Sequence, residues 1–99
     1  MEVNKMEGNE IEVCAKQTDR DLNDFYQKLM KTTKGYGNGS DKLLKKSQKA
    51  WLNMRKFQCE LIHLNAAGFE KGVAKDRCEI KMTEIRAREF EDLLLERFE

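Results

Sequence analysis

The sequence predicts an all-α fold: a small antiparallel three-helix bundle, or a helical hairpin with a third helix, stapled by a disulfide. Three observations carry this reading. The 99 residues include no proline, and the six glycines are confined to Gly8, to the stretch Gly35, Gly37, Gly39, and to Gly68 and Gly72, so two clusters punctuate an otherwise helix-forming chain. Apolar residues recur at helical spacing in the three segments that result. Cys59 and Cys78 then fall at the two helix ends that flank the second break.

The first helix is expected from about Glu10 to Thr33. Ile11, Cys14, Leu22, Phe25, Tyr26, Leu29 and Met30 share one face, with Thr18 filling the gap between Cys14 and Leu22. Residues 1–9 are read as a flexible tail and residues 10–99 as a single helical domain. Lys34 before Gly35 reads as a helix stop, and Lys34 to Gly39 as a flexible hairpin. Ser40 is the expected cap of the second helix, with Asp41 in its first turn. That helix lines up Leu44, Ser47, Trp51, Met54, Gln58, Leu61 and Ile62 on one broad face, which Leu43, Ala50 and Phe57 widen; Lys42, Lys45, Lys46, Lys49 and Lys56 take much of the rest. Trp51 is expected in the core, with small Ser47 and Ala50 leaving room for its ring. The run weakens after Asn65, residues 65–75 read as a loop, and a third helix follows from about Ala74 to Arg97 on Cys78, Met82, Ile85, Phe90, Leu93 and Leu94. Short connections make consecutive helices antiparallel neighbours.

That topology brings Cys59 and Cys78 together, within the roughly 4.4–6.8 Å between Cα atoms that a disulfide needs. A bridge over a loop of this size stabilises by roughly 3 kcal/mol in the chain-entropy account, a large share of a small domain's stability. It also places the protein outside the cytosol. The third cysteine, Cys14, is expected to be free or joined to a second molecule, in the latter case giving a homodimer. The same residues speak against chemistry. There is no CxxC pair and no set of four Cys or His ligands, so neither a metal nor another cofactor is expected. His63, the only histidine, stands one turn beyond Cys59, but a disulfide would consume that thiol and no oxyanion loop completes a dyad. GYGNG lacks the Lys-Ser/Thr element and preceding strand of a phosphate-binding loop. A non-enzymatic protein that presents surfaces is the reading that remains.

Acidic and basic residues nearly cancel, 18 against 19, which removes global charge as an argument for nucleic acid. Their distribution is uneven: residues 1–33 carry a net charge of −2, residues 34–56 a net +6 and residues 57–99 a net −3. A basic middle helix between acidic flanks satisfies much of this internally. No stretch is long and apolar enough to span a bilayer, and the amino terminus carries no apolar signal core; an exported protein of this sequence would be the mature piece.

Three motifs, in order, resemble one family. Leu22, Asn23, Tyr26 and Leu29 form an LNxxYxxL pattern; Gln48, Ala50, Trp51, Leu52, Arg55 and Cys59 form QxAWLxxRxxxC; Cys78, Thr83, Arg86 and Glu89 form CxxxxTxxRxxE. The chain is similar over residues 10–97 to the lysozyme inhibitor LprI-like domain family. It departs in lacking a cysteine upstream of Cys14 and in an interval from Cys14 to Asn23 about one helical turn shorter than usual, which leaves the helix phase nearly intact. The resemblance implies an exported, helical, disulfide-containing protein of the periplasm or extracellular space that binds a protein partner. It implies inhibition of a lysozyme-like muramidase, either a host defence enzyme or a toxin against which this would be an immunity protein.

Two segments are candidates for filling a muramidase cleft. One is the glycine-rich turn with Lys34, Tyr36 and Asn38; the other, expected to be the better preorganised, is the loop from Asn65 to Arg77, tethered by the bridge and carrying Phe69, Lys71 and Lys75. Leu22, Asn23, Tyr26, Gln48, Trp51, Arg55, Thr83 and Arg86 are expected to serve structure. The alternative function is a non-catalytic envelope adaptor that binds a protein or an anionic polymer through the basic second helix. Nucleic acid is not an expected partner, because the basic run lacks aromatic interleaving on its exposed side.

Overall fold

The computed structural model of the protein describes residues 8–67 and 71–96. Helix α1 spans Gly8–Tyr36, α2 Ser40–Asn65 and α3 Lys71–Glu96, and no strand occurs among the described residues. Residues 48, 55 and 59 of α2 meet residues 86, 83 and 78 of α3 in falling order, so these helices are antiparallel. Cys14 packs with Ile80 near one end and Tyr26 with Phe90 towards the other, so α1 runs parallel to α3. The bundle measures 50 × 23 × 16 Å.

The stripe expected on α1 faces the core. Ile11, Cys14, Thr18, Leu22, Leu29 and Thr33 are buried, and Phe25, Tyr26 and Met30 half-buried. The two buried threonines return their hydroxyls to their own helix, Thr18 to the Ala15 carbonyl at 2.9 Å and Thr33 to that of Leu29 at 2.8 Å, so neither leaves an unpaired donor in the interior. One cluster joins Leu22 and Leu29 of α1 to Trp51 of α2 and Phe90 of α3. A second, of Ile11, Cys14 and Ile80, belongs to α1 and α3 alone.

Several boundaries differ from the sequence expectation. α1 continues through Lys34 and Gly35 to Tyr36; the chain turns instead at Gly37 and Gly39, whose φ angles of 63° and 87° lie in the left-handed region that only glycine enters without strain. Ser40 is not the cap. Gly39 is, and its carbonyl accepts from the amides of Lys42 and Leu43 at 3.1 and 3.2 Å. The side chain of Asn38 supplies what a serine cap would have supplied, accepting from the Ser40 amide at 3.0 Å and from the Ser40 hydroxyl. Asp41 does lie in the first turn of α2. α3 begins at Lys71, so the break after α2 is shorter than residues 65–75.

The largest correction concerns α2. Of its broad apolar face only Trp51 is buried and Leu44 half-buried; the other buried residues are Gln48 and Cys59. Leu43, Ala50, Met54, Phe57, Gln58, Leu61 and Ile62 are exposed, as is Ile85 on α3. A helix in a three-membered bundle has two neighbours, and they cover less of its circumference than the apolar residues of α2 occupy.

Candidate functional site

The motif residues converge on Trp51. Arg55, one turn along α2, places its guanidinium 5.0 Å from the Trp51 ring centroid and donates from Nη1 to Asp19 on α1 at 2.6 Å and to the Thr83 hydroxyl on α3 at 2.8 Å. One cation thereby touches all three helices. The Thr83 hydroxyl donates a hydrogen bond to the Glu79 carbonyl at 2.6 Å, which leaves its oxygen to accept from Arg55. On the other side Arg86 of α3 lies 4.5 Å over the Phe90 ring and 5.9 Å from that of Trp51. It donates to Gln48 at 3.1 Å, to Ser47 at 2.9 Å and to Glu89 at 3.2 Å. Two arginines thus hold the indole by cation–π contact and hold the helix register by directed hydrogen bonds.

Cys59 and Cys78 form the disulfide, with Cα atoms 5.5 Å apart. The bridge removes Cys59 from any pairing with His63. Cys14 is free and buried at 2% exposure, so linkage to another molecule requires its surroundings to open. Among the described residues no group of three or more His, Cys, Asp or Glu is placed to hold a metal ion, and no helix is long and apolar enough to cross a membrane.

α1 touches α2 less than it touches α3, and a groove of about 430 Å³ opens between α1 and α2. Asp19, Leu22, Asn23 and Tyr26 line it from α1, and Lys45, Gln48, Lys49, Leu52 and Arg55 from α2. Leu22 and Gln48 form its buried floor, whereas Asn23 is exposed and Tyr26 half-buried against Phe90, ring centroids 6.2 Å apart. Lys45 and Lys49 are exposed on the rim. The groove therefore offers a floor of one leucine and one amide, with the Asn23 amide and the Tyr26 phenol beside a basic edge. Sequence reasoning missed it, because Asn23 and Tyr26 share a motif with core Leu22 and read as structural residues. The available signal was an asparagine at a mid-helix position that favours no helix.

The two candidate wedges lie at opposite ends of the bundle, so they do not form one surface. Lys34, Tyr36 and Asn38 come together at the α1–α2 turn: Lys34 and Asn38 are exposed, Tyr36 is 40% exposed, and the Asn38 oxygen is spent on Ser40. In the other segment Phe69 lies outside the described residues, Lys71 opens α3, and Lys75 pairs with Glu60 of α2 at 3.5 Å, which reduces its availability to a partner. At this disulfide end Asp76 is held above the usual carboxylate range, first by burial and then by the negative charge of Glu12, with Lys75 opposing.

Residues 3–90 match the family model described as lysozyme inhibitor LprI, and since this is most of the 99 residues the chain belongs to that family. No curated protein and no solved structure matches.

Proposed function

We propose that this chain is a non-catalytic protein of the periplasm or extracellular space that binds and inhibits a lysozyme-like muramidase, protecting its cell against a host enzyme or an attacking toxin. The family assignment is the observation that carries this reading. The disulfide supports the compartment, since such bonds persist in oxidising surroundings. Muramidases cleave glycan with paired carboxylates in an open cleft. A bundle with a 23 × 16 Å cross-section presents a narrow end to such a cleft. At that end the left-handed glycines fix the turn and Asn38 ties it to α2, so Tyr36 and Lys34 stand on a preorganised support. Tyr36 supplies rigid contact area and Lys34 a cation for the carboxylates.

Titration against a panel of host-type and bacterial-toxin muramidases, read as loss of glycan hydrolysis, tests this. At least one enzyme should be inhibited, and Tyr36→Ala should weaken inhibition roughly 30-fold, the scale of a 2 kcal/mol hot spot. Absence of both binding and inhibition across the panel would sink the reading.

A second reading has its own observation. Lys42, Lys45, Lys49 and Lys56 are all exposed on α2, two of them on the groove rim, which suits an adaptor for an acidic protein or polymer. A complex made by that face weakens strongly between about 50 and 300 mM salt, whereas a cleft-filling complex persists. Charge reversal at Lys42, Lys45 and Lys49 should abolish adaptor binding and spare inhibition.

A further inference from the structure

Six of the eight exposed apolar residues of α2 fall on one line, and only Leu52 and Ile62 lie off it. Leu43, Ala50, Phe57 and Leu64 stand seven apart, as do Ser47, Met54 and Leu61, and the two series alternate at intervals of four and three. This is the spacing of a seam between two packed helices. At 100° per residue the seam lies roughly 140° round α2 from the line through buried Gln48, Trp51 and Cys59, so its apolar residues stand outside the bundle's own core, and only Ser47, at its edge, is tied to the bundle by accepting from Arg86. Its five large side chains, Leu43, Met54, Phe57, Leu61 and Leu64, are between 50% and 68% exposed.

We propose that this seam is a self-association surface, on which the α2 helices of two copies pack antiparallel about a two-fold axis close to residue 52. Three features select a second copy in that orientation. The first is fit. In the register set by the axis, Leu43 meets Leu61 of the second copy, Ser47 meets Phe57, and Ala50 meets Met54, each layer occurring twice by symmetry, so both small residues face large ones. A parallel pairing sets Phe57 against Phe57 and leaves Ala50 facing Ala50. The second is charge. Antiparallel packing brings Lys46, on the seam's flank, beside Glu60 of the second copy, while a parallel pair would stack the lysine-rich first half of each α2 against its equal. Glu60 is half-buried at its own bundle's Lys75 and retains a second oxygen for Lys46. The third is area: the seam presents on the order of 600 Å², at the upper end of what a monomer leaves bare and about three-quarters of the roughly 800 Å² that a standard interface takes from each partner. The two α1–α2 turns then point away from each other at opposite ends of the dimer, so pairing does not cover them.

Sedimentation equilibrium of the oxidised protein on a Cys14→Ala background, which removes intermolecular disulfides, should show a concentration-dependent monomer–dimer equilibrium. Phe57→Glu and Leu61→Lys should each weaken it at least ten-fold without lowering the helix content of the monomer, because both side chains are exposed there. A spin label at Lys42→Cys should report a separation of about 30 Å in the antiparallel dimer and about 10 Å in a parallel one. A protein monomeric up to about 1 mM, the weak limit of useful association, a dimer that survives both substitutions, or the shorter label distance overturns the proposal.

Discussion

The α1–α3 pair and α2 are held by different means. Between α1 and α3 buried side chains run from the apolar cluster of Ile11, Cys14 and Ile80 at one end, past Thr18 and Thr83, to Leu22, Leu29 and Phe90 towards the other, so the inner face of both helices is occupied along its length. α2 and α3 each bury three residues among those described, but α3 adds thirteen half-buried ones and α2 only six. α2 is fastened at points: the Trp51 ring, the bridge to Cys78, and the arginine hydrogen bonds that reach α2 from Arg86 and leave it from Arg55. Continuous packing leaves a helix with one solvated side. Point fastening leaves α2 with a groove on one flank, a lysine face and an apolar seam, which is how 26 residues serve the bundle and still offer surface to partners.

The difference is sharpened most by removing the central fastener. Trp51→Ala should cost about 3–5 kcal/mol, the range for a packed aromatic, and should loosen α2 while the α1–α3 layer persists. Chemical denaturation with near-ultraviolet dichroism reads both effects; a loss below about 1 kcal/mol with unchanged dichroism would show that the ring does not fasten the helix. Replacing Cys59 and Cys78 together by Ala should cost about 2–5 kcal/mol, and peptide mapping of the non-reduced protein should find Cys14 in neither partner's company. Arg55→Ala should cost about 1.5–3 kcal/mol, since it strips a charged donor from Asp19 and Thr83 at once. Arg55→Lys should recover part of the loss, because both bonds leave a single nitrogen and an ammonium has donors for two, while the planar contact with the Trp51 ring is lost.

The smallest expected effect lies where α1 and α3 meet at the disulfide end. The folded-state pKa of Asp76 is raised, so at neutral pH its ionised form opposes folding. That penalty is present above the raised folded value, is relieved as pH falls through it, and is gone below the ordinary value of 3.8. Asp76→Asn should therefore stabilise by no more than about 0.5 kcal/mol at pH 7, and the gain should vanish in acid; urea titrations at both pH values check the sign.

How much of this was legible in the sequence follows from the same contrast. The α1 stripe and the bridge were readable because each has a single geometric solution: a helical period facing one layer, and two cysteines at adjoining helix ends. The fate of α2 was not. Its apolar residues circle more than half of the helix, and while Trp51 reads as core and is buried, nothing local shows that Phe57, on the same broad face, is 66% exposed. The neighbours decide, and their crossing geometry is a property of the whole bundle. The turn was misplaced for a related reason. Gly35 retains helical geometry, and only the left-handed pair Gly37 and Gly39 ends the helix, a choice that depends on where Asn38 can reach Ser40. Asn23 likewise reads as a structural residue and stands on an open groove, since the distance between α1 and α2 is written in neither helix.

Native-state hydrogen exchange, run on the oxidised and the reduced protein, tests the point-fastened helix most directly. With the bridge cut, amides of α2 on both sides of Trp51 should exchange through a partial opening that lies below the free energy of global unfolding, while those around Leu22, Leu29, Ile80 and Phe90 continue to exchange only by global unfolding. If all three helices report one opening energy in the reduced protein, as they would if α2 were packed as continuously as its neighbours, the account is contradicted.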